Sequence, residues 1–427
     1  MRLARLLVLL ITAGLAAQPV PDGPRAVLNL DGEWEAHAAD LTLAWPPPAD
    51  GWQKEAVPHE TSRLIETLDG PYMPAIANLL NPDGTGFRRA DKLAAWYRRR
   101  FTVDAADLAG RRAVLRLMGV AYRSAVYVNG QAVGTSVQCA VPNEFDISQA
   151  LRAGDNELAI GVTGREGLVD LAHRCFIAPC NGMMAGIWGS VELHLRPMVT
   201  VDDVFVRTSV KTMRLDLDVT VANGGAAAFA GTAQAVVYDA DDRPLCAVAP
   251  VPVSVPAGGS AQVTLGRGWT PPRLWTPELP TLYRVRVELK AGALVDSTVT
   301  RFGFREFEIA GRDFMMNGRR IMLVRNSTLT HLANATNGAI EMQTQVTRPY
   351  NCVRLHLGQN NPAQLDACDQ MGMMAIPEAA FSWTDRYPSA AKEVWLANTL
   401  EYYRRWVKLL RNRSEEHTSE LQSLRHL

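Results

Sequence analysis

The stretch from Asn351 to Phe381 constrains the fold of this 427-residue chain more than any other. Asn-Cys-Val-Arg-Leu-His-Leu reads as a buried strand ending in Arg354 and His356. A polar link leads into a short helix through Leu365, with Gly372 as its stop, and a second strand from Met373 to Ile376 then delivers Glu378. Short apolar runs joined by a helix with a C-terminal glycine are the signature of a parallel βαβ unit. In a (β/α)-barrel the chemistry sits at the C-terminal strand ends, where Arg354, His356 and Glu378 fall.

Two all-β blocks precede this unit. From Val27 to about Pro197, alternating runs recur: Trp96 to Val103, Ala113 to Leu117, Ser124 to Val128, Glu157 to Val162 and Val191 to Leu195. Turn residues such as Asn129-Gly130 punctuate them, and even spacing of short strands predicts a sandwich or jelly roll. The interval from Pro46 to Arg89 is irregular and is expected to be a long loop at one end of the sandwich. From about Met198 to Phe302, runs such as Leu215 to Val221, Thr232 to Tyr238, Ala261 to Leu265 and Leu282 to Leu289 predict an immunoglobulin-like sandwich of roughly seven strands.

After Phe302 the pattern changes to strand–helix alternation. A hairpin with an Asn317-Gly318 turn is expected, with an apolar strand from Arg320 to Val324 and a helical stretch around Ala339 to Thr347. The βαβ unit follows, and then an amphipathic helix from Trp395 to Leu410 with Leu396, Leu400, Tyr403, Val407 and Leu410 on its apolar face. That supplies three of the eight βα units of a closed TIM barrel.

Composition excludes some functions. With 47% apolar and 21% charged residues, no large disordered fraction is expected. Zero net charge argues against bulk binding to nucleic acid or to an anionic membrane. The densest basic run, Arg98 to Arg100, lies inside a strand pattern and reads as a solvated strand face. Arg2 and Arg5 before the apolar run Leu6 to Leu15, with Ala16, Ala17 and Gln18 beyond, read as an export signal over residues 1–17, too short to span a bilayer. The alternative is an uncleaved anchor. The expected location is periplasmic or extracellular. Six scattered cysteines show no zinc spacing. Cys175 and Cys180 are close enough in sequence to bridge, while Cys352 and Cys368 read as small buried hydrophobes. No metal and no cofactor is expected.

Several fragments resemble glycoside hydrolase family 2, the group that includes β-galactosidases, β-glucuronidases and β-mannosidases. Trp96 to Phe101, Val126 to Gly130, Asn143 to Ile147, Gly154 to Leu158 and Gly186 to Val191 resemble its sugar-binding jelly roll. Leu274 to Tyr283 resembles its late sandwich motif, and Phe302 to Glu306 its entry into the barrel. The order and spacing of these fragments carry the resemblance over nearly everything after the signal. It implies domains at 18–197 (jelly roll), 198–302 (immunoglobulin-like) and 303–412 (start of the barrel). It also implies a retaining exo-β-glycosidase with a carbohydrate substrate, in which two carboxyls about 5–5.5 Å apart act as nucleophile and acid/base. In the family these follow the fourth and seventh barrel strands. Arg354 is similar to an arginine of the second strand and Glu378 to an acid of the third. The family's Gly-x-Asn-x-His turn is not matched at Leu323 to Ser327, which lacks the glycine, and His331 comes late.

Beyond Asn412 the chain turns abruptly polar. Residues 413–427 resemble the translation of a sequencing-library adapter and are read as an artefact joined to a truncated gene; a natural polar tail is the alternative. No Asn-Glu pair follows Asn412, so neither family catalytic glutamate is expected, and the chain is expected to be inactive. Its barrel part is expected to be loose, with an open sheet edge. Arg354 reads as a substrate-side residue able to orient a carboxylate, or as half of an ion pair. Glu378 suits sugar hydroxyls or a neighbouring arginine. His356 reads as a binding residue, against the default of a structural histidine. A carboxyl partner for Glu378 would have to come from Asp366, Asp369 or Asp385. The readings are a family 2 glycosidase fragment or a non-catalytic carbohydrate-binding protein.

Overall fold

The computed structural model describes residues 24–59, 62–65, 81, 87, 92–180, 185–269, 272–328, 348–355, 362–379 and 392–413. The expected export signal, the helical stretch at 339–347, His331, His356, Asp385 and residues 414–427 lie outside the described residues.

The first block is a two-sheet β-sandwich. Its strands are β1 (Ala26–Asn29), β2 (Gly32–Ala39), β3 (Gln53–Val57), β4 (Ala94–Val103), β5 (Arg111–Leu117), β6 (Ser124–Val128), β7 (Gln131–Ser136), β8 (Asn143–Asp146), β9 (Gly154–Thr163) and β10 (Val191–Pro197). One sheet runs β1-β10-β5-β8 and the other β3-β2-β4-β9-β6-β7. Alternation decides which side chains meet between them: Leu115, Leu117, Leu193 and Leu195 face Val126, Val128, Leu158 and Ile160 in one core. Asn129 and Gly130 both take positive φ, as a two-residue hairpin turn requires. The interval expected to be only a loop contains β3, which pairs antiparallel with the edge of β2. Its Gln-Lys-Glu-Ala-Val sequence buries one residue fully, so it carries little apolar alternation to reveal it. The basic run is a strand face, as expected. Arg98 meets Glu35 at 2.6 Å, Arg100 meets Glu157 at 3.3 Å, and Arg99 donates to the carbonyls of Asp31 and Glu33.

The second block is a seven-strand immunoglobulin-like sandwich built from β11 (Val199–Ser209), β12 (Arg214–Asn223), β13 (Phe229–Tyr238), β14 (Pro244–Val255), β15 (Ser260–Gly268), β16 (Leu282–Ala291) and β17 (Ala293–Gly303). Sheets β11-β12-β15 and β14-β13-β16-β17 enclose a core rich in β-branched residues, among them Val219, Val221, Val237, Val285 and Val287.

A three-stranded antiparallel sheet follows: β18 (Phe307–Ala310), β19 (Asp313–Met316) and β20 (Arg319–Ile321). Next come β21 (Arg325–Thr328), β22 (Cys352–Leu355), α1 (Pro362–Met371), β23 (Met374–Pro377) and α2 (Lys392–Leu410), with β21, β22 and β23 forming a parallel sheet. The strand expected from Arg320 to Val324 is therefore two pieces. The positive-φ turn at Asn317 and Gly318 folds residues 319–321 back onto β19, and parallel pairing begins only at Arg325 opposite Cys352. Asn351 fixes the changeover: its side chain accepts from Val324 N and donates to Met322 O, both at 2.9 Å.

The two faces of the parallel sheet bury against different neighbours. Val353, Leu355 and Ala375 join Leu365 and Cys368 of α1, Tyr402 and Trp406 of α2, and Tyr122, Phe176 and Trp188 of the first sandwich. Cys352 and Met374, on the opposite face, join Trp275, Phe307 and Met316. Among the described residues both faces of this sheet are covered, one by the helices and the first sandwich and the other by Trp275 and the β18–β19 hairpin. The buried stripe of α2 also differs from the expected one. Thr399, Tyr402, Trp406 and Leu410 are buried, whereas Leu396 and Leu400 are 41% and 42% exposed. The aromatic rings at positions 402 and 406 reach the first sandwich, which shifts the contact face by about one residue from the leucine stripe. The C-terminal end of α2 locks onto β11, where Asn412 accepts from Val206 N at 2.8 Å and donates to Val204 O at 2.7 Å, standing in for a neighbouring strand.

Candidate functional site

The strand-end geometry is set by register. Ser327, Arg354 and Ile376 are direct neighbours across β21, β22 and β23, and side chains alternate along each strand. Because Val353 and Leu355 point under the helices, Arg354 must point to the opposite face, the side of Cys352 and Met374. Glu378 follows β23 immediately, its N–H donating to Leu355 O at 3.2 Å, which holds its backbone at the mouth of β22. The Arg354 Nε then donates to Glu378 Oε1 at 2.5 Å. The pair is about a third exposed on each side, with side chains at 32% and 29%. Arginine and glutamate are thus brought together, while His356 lies outside the described residues.

This arrangement presents a fixed, partly exposed guanidinium–carboxylate pair, a chemistry that suits a polyhydroxylated ligand. Solvent at the pair limits its worth to the fold. Arg354→Ala is expected to change stability by no more than about 1 kcal/mol, read from urea melts; a loss of several kcal/mol would assign the pair a structural role.

Of the carboxylates considered as partners for Glu378, Asp385 lies outside the described residues and the other two are engaged elsewhere. Asp366 receives Arg301 at 2.6 Å and also pairs with Arg413, the first residue of the expected foreign tail, and Asp369 lies 3.3 Å from Arg301. Both clamp α1 to β17 and to the end of α2. Residues 325–328, 352–355 and 374–379 contain one acidic residue, Glu378.

A second polar cluster escaped the sequence reading because it lies in the stretch assigned to a loop. Tyr97 of β4 donates to Ser62 Oγ at 2.8 Å, and His59 Nε2 lies 3.3 Å from the same phenol oxygen. Glu55 stands 3.6 Å from His59, with side chains 9% and 10% exposed. A Cβ on Gly186 would meet His59 Cε1 at 2.4 Å, so only glycine lets the ring sit there. Burial holds His59 at about 4, well below the ordinary imidazole value, and raises the Glu55 carboxyl. Burial is the first cause of both shifts and disfavours the charged form of each group. A histidine whose folded pKa is depressed stabilises the fold fully above about pH 6.5 and loses that contribution as pH falls toward 4, because the unfolded chain binds the proton more readily. His59→Asn is expected to flatten the dependence of the melting temperature on pH between those limits.

An open cleft of about 420 Å³ between the two sandwiches is lined by Arg112, Asp146, Asn223 and Ser260 among others, and takes no residue from the parallel unit. Arg112 and Asp146, on adjacent strands of the first sandwich, are paired on one wall of it at 2.8 Å. Among the described residues no group of His, Cys, Asp and Glu could hold a metal ion.

The fold and its strand-end pair define a class: a modular, β-rich chain in which two sandwiches lead into and support a parallel sheet. Comparison with known proteins makes this specific. The model of the family 2 glycosyl hydrolase sugar binding domain matches residues 72–197, and the model described as glycosyl hydrolases family 2 matches residues 199–305. A β-galactosidase of Bacteroides ovatus is 27% identical over 382 residues, covering 84% of this chain and 42% of that relative. A β-galactosidase of Psychromonas ingrahamii is 25% identical over 370 residues, covering 82% and 35%. Among solved structures, a family 2 member from Bacteroides cellulosilyticus superposes with TM-score 0.71 at 20% identity, covering 92% of this chain and 51% of that one. A β-glucuronidase from Bacteroides uniformis gives TM-score 0.71 at 21% identity, covering 92% and 46%. The chain belongs to glycosyl hydrolase family 2. It spans less than half the length of these curated relatives.

Proposed function

We propose that this chain is the sugar-binding and supporting part of a retaining exo-β-glycosidase, with β21 to β23 as the opening strands of a TIM barrel. In this reading Arg354 and Glu378 contact the glycone hydroxyls. The observation that carries it is the Arg354–Glu378 pair at the C-terminal ends of adjacent parallel strands, where barrel enzymes place their chemistry. Retaining hydrolysis needs two carboxyls about 5–5.5 Å apart, and Glu378 has no acidic companion on these strand segments. The chain as it stands is therefore proposed to bind sugar without cleaving it. The galactosidase and glucuronidase names of the relatives support β-glycosides as the substrate class.

The test is to express the chain joined to the natural continuation of its gene and to follow the anomeric signals of a nitrophenyl β-galactoside and β-glucuronide during hydrolysis. Release of the β-anomer first, together with a raised KM for Arg354→Ala, supports the reading. Hydrolysis with inversion, or none of either glycoside, overturns it. A purely carbohydrate-binding role is the second reading, favoured by the engagement of Asp366 and Asp369 away from the strand ends.

A further inference from the structure

The outer face of the six-stranded sheet carries an arrangement that neither the fold nor the strand-end site uses. Register across β2, β4, β9 and β6 places Glu35, Arg98, Ala159 and Tyr127 in one row, and His37, Trp96, Gly161 and Ala125 in the next. The segment between β2 and β3 folds over these rows. Leu43 seats on Gly161, where an added Cβ would approach its Cδ1 to 2.9 Å. Leu43, Trp96, Ala94, Ala125 and Ala159 then form a closed satellite core.

Two indoles stand on top of that core. Trp45 stacks on Tyr127 at 3.9 Å with an interplanar angle of 4°, its edge toward Trp96. One ring face is thereby covered, and the residue remains 38% exposed. Trp52 lies against the guanidinium of Arg98 at 4.0 Å, and its Nε1 donates to Pro48 O at 2.8 Å, which fixes the ring. Arg98 and Tyr127 are two strand positions apart, about 10 Å at the usual spacing. Beside them the Arg98–Glu35 and Arg100–Glu157 pairs remain open to solvent, with Glu35 53% and Arg100 81% exposed. Leu43 and Trp96 already fill the space above the small residues, so burial alone does not account for an indole held flat on Tyr127 and left 38% exposed.

We propose that Trp45 and Trp52, with the Arg98–Glu35 pair, form a binding platform for a neutral oligosaccharide chain, separate from the strand-end site. The apolar C–H face of a pyranose matches a flat, exposed indole, and planar guanidinium and carboxylate groups alongside match vicinal hydroxyls. Two rings anchored on residues whose strands lie about 10 Å apart suit a chain of several sugar units better than a single monosaccharide. The proposal rests on the carbohydrate reading above for its ligand class, and the platform would hold the substrate polymer near the enzyme.

Affinity electrophoresis of the full chain in gels containing soluble β-1,4-galactan or mixed-linkage β-glucan tests it. Retardation of the folded wild-type chain by at least one polymer is expected. Trp45→Ala and Trp52→Ala are expected to weaken binding at least tenfold, and Trp45→Tyr less than Trp45→Ala. Bound polymer is also expected to protect Trp45 from N-bromosuccinimide, read by peptide mass. That readout does not depend on a variant folding. No retardation in either gel, or retardation unchanged by both tryptophan substitutions without protection of Trp45, overturns the platform. Binding lost in Arg354→Ala alone also overturns it, and assigns the ligand to the strand ends. Binding at the platform together with an extended chain that cleaves no glycoside upholds the platform and removes the enzyme reading.

Discussion

Replacing Trp275 by alanine is expected to cost about 3–5 kcal/mol, the usual range for deleting a large buried aromatic, and to release the parallel unit from the second sandwich. The residue is fully buried, and its surroundings come from four parts of the chain. Its ring lies in the cluster containing Phe307, Met316, Cys352 and Met374, and its Nε1 donates to Asp369 O at 2.9 Å near the end of α1. Its own backbone N–H donates to Phe304 O, and its carbonyl accepts from Asn317 Nδ2 at 3.0 Å. Truncation therefore opens a cavity and leaves one helix carbonyl without its donor. The effect is expected in hydrogen exchange, where amides of β22 and β23 lose about a hundredfold to several thousandfold of their protection, while the core of the first sandwich changes little. Uniform loss over the whole chain would contradict a local joint.

Gly372→Ala is expected to produce a loss of similar size by a different route. The glycine ends α1 at φ +75°, and Met373 N returns to Cys368 O at 3.0 Å in the manner of a Schellman cap. An alanine there pays about 1–2 kcal/mol for the left-handed backbone. Its Cβ would also lie 2.1 Å from Pro277 O, so the second sandwich or the helix end must move, at roughly a further 1–3 kcal/mol. Gly318 supplies the control, because it has the same φ of +75° and nothing within 4 Å of an added Cβ. The difference in urea midpoint between Gly372→Ala and Gly318→Ala isolates the contact between α1 and the Pro277 segment. Equal shifts would show that the contact carries no energy.

These two residues also mark what could and could not be read from the chain. Gly372 announces a helix end, since an apolar run followed by glycine and a second apolar run has few other meanings. Its second constraint, the carbonyl of a proline 95 positions earlier, is tertiary and leaves no local trace. Trp275 sits in a segment recognisable by its resemblance to family 2, yet nothing in Leu-Trp-Thr-Pro reveals that the indole meets α1. The β-sandwiches were legible because one buried face imposes alternation, as in Leu215 to Val221. Strand β3 was not, because an edge strand with one fully buried residue has almost no pattern. The face of α2 was misassigned for a related reason: leucines at 396 and 400 outweigh aromatics in a periodicity count, but Tyr402 and Trp406 have the reach to touch the first sandwich. Arg354 and Glu378 stand out as charged residues at the ends of apolar runs, while their mutual pairing depends on the parallel register. The Glu55–His59–Tyr97 cluster is assembled from separate segments, and no local spacing signals it.

This chain is proposed to hold the sugar-side groups of a family 2 glycosidase without the catalytic carboxyl pair. The direct measurement is nitrophenolate release from 4-nitrophenyl β-galactoside and β-glucuronide by the purified 427-residue chain, with Glu378→Gln beside it. No release above the buffer blank is expected from either protein. Turnover by the wild-type chain that disappears in Glu378→Gln would contradict it and make Glu378 a catalytic residue.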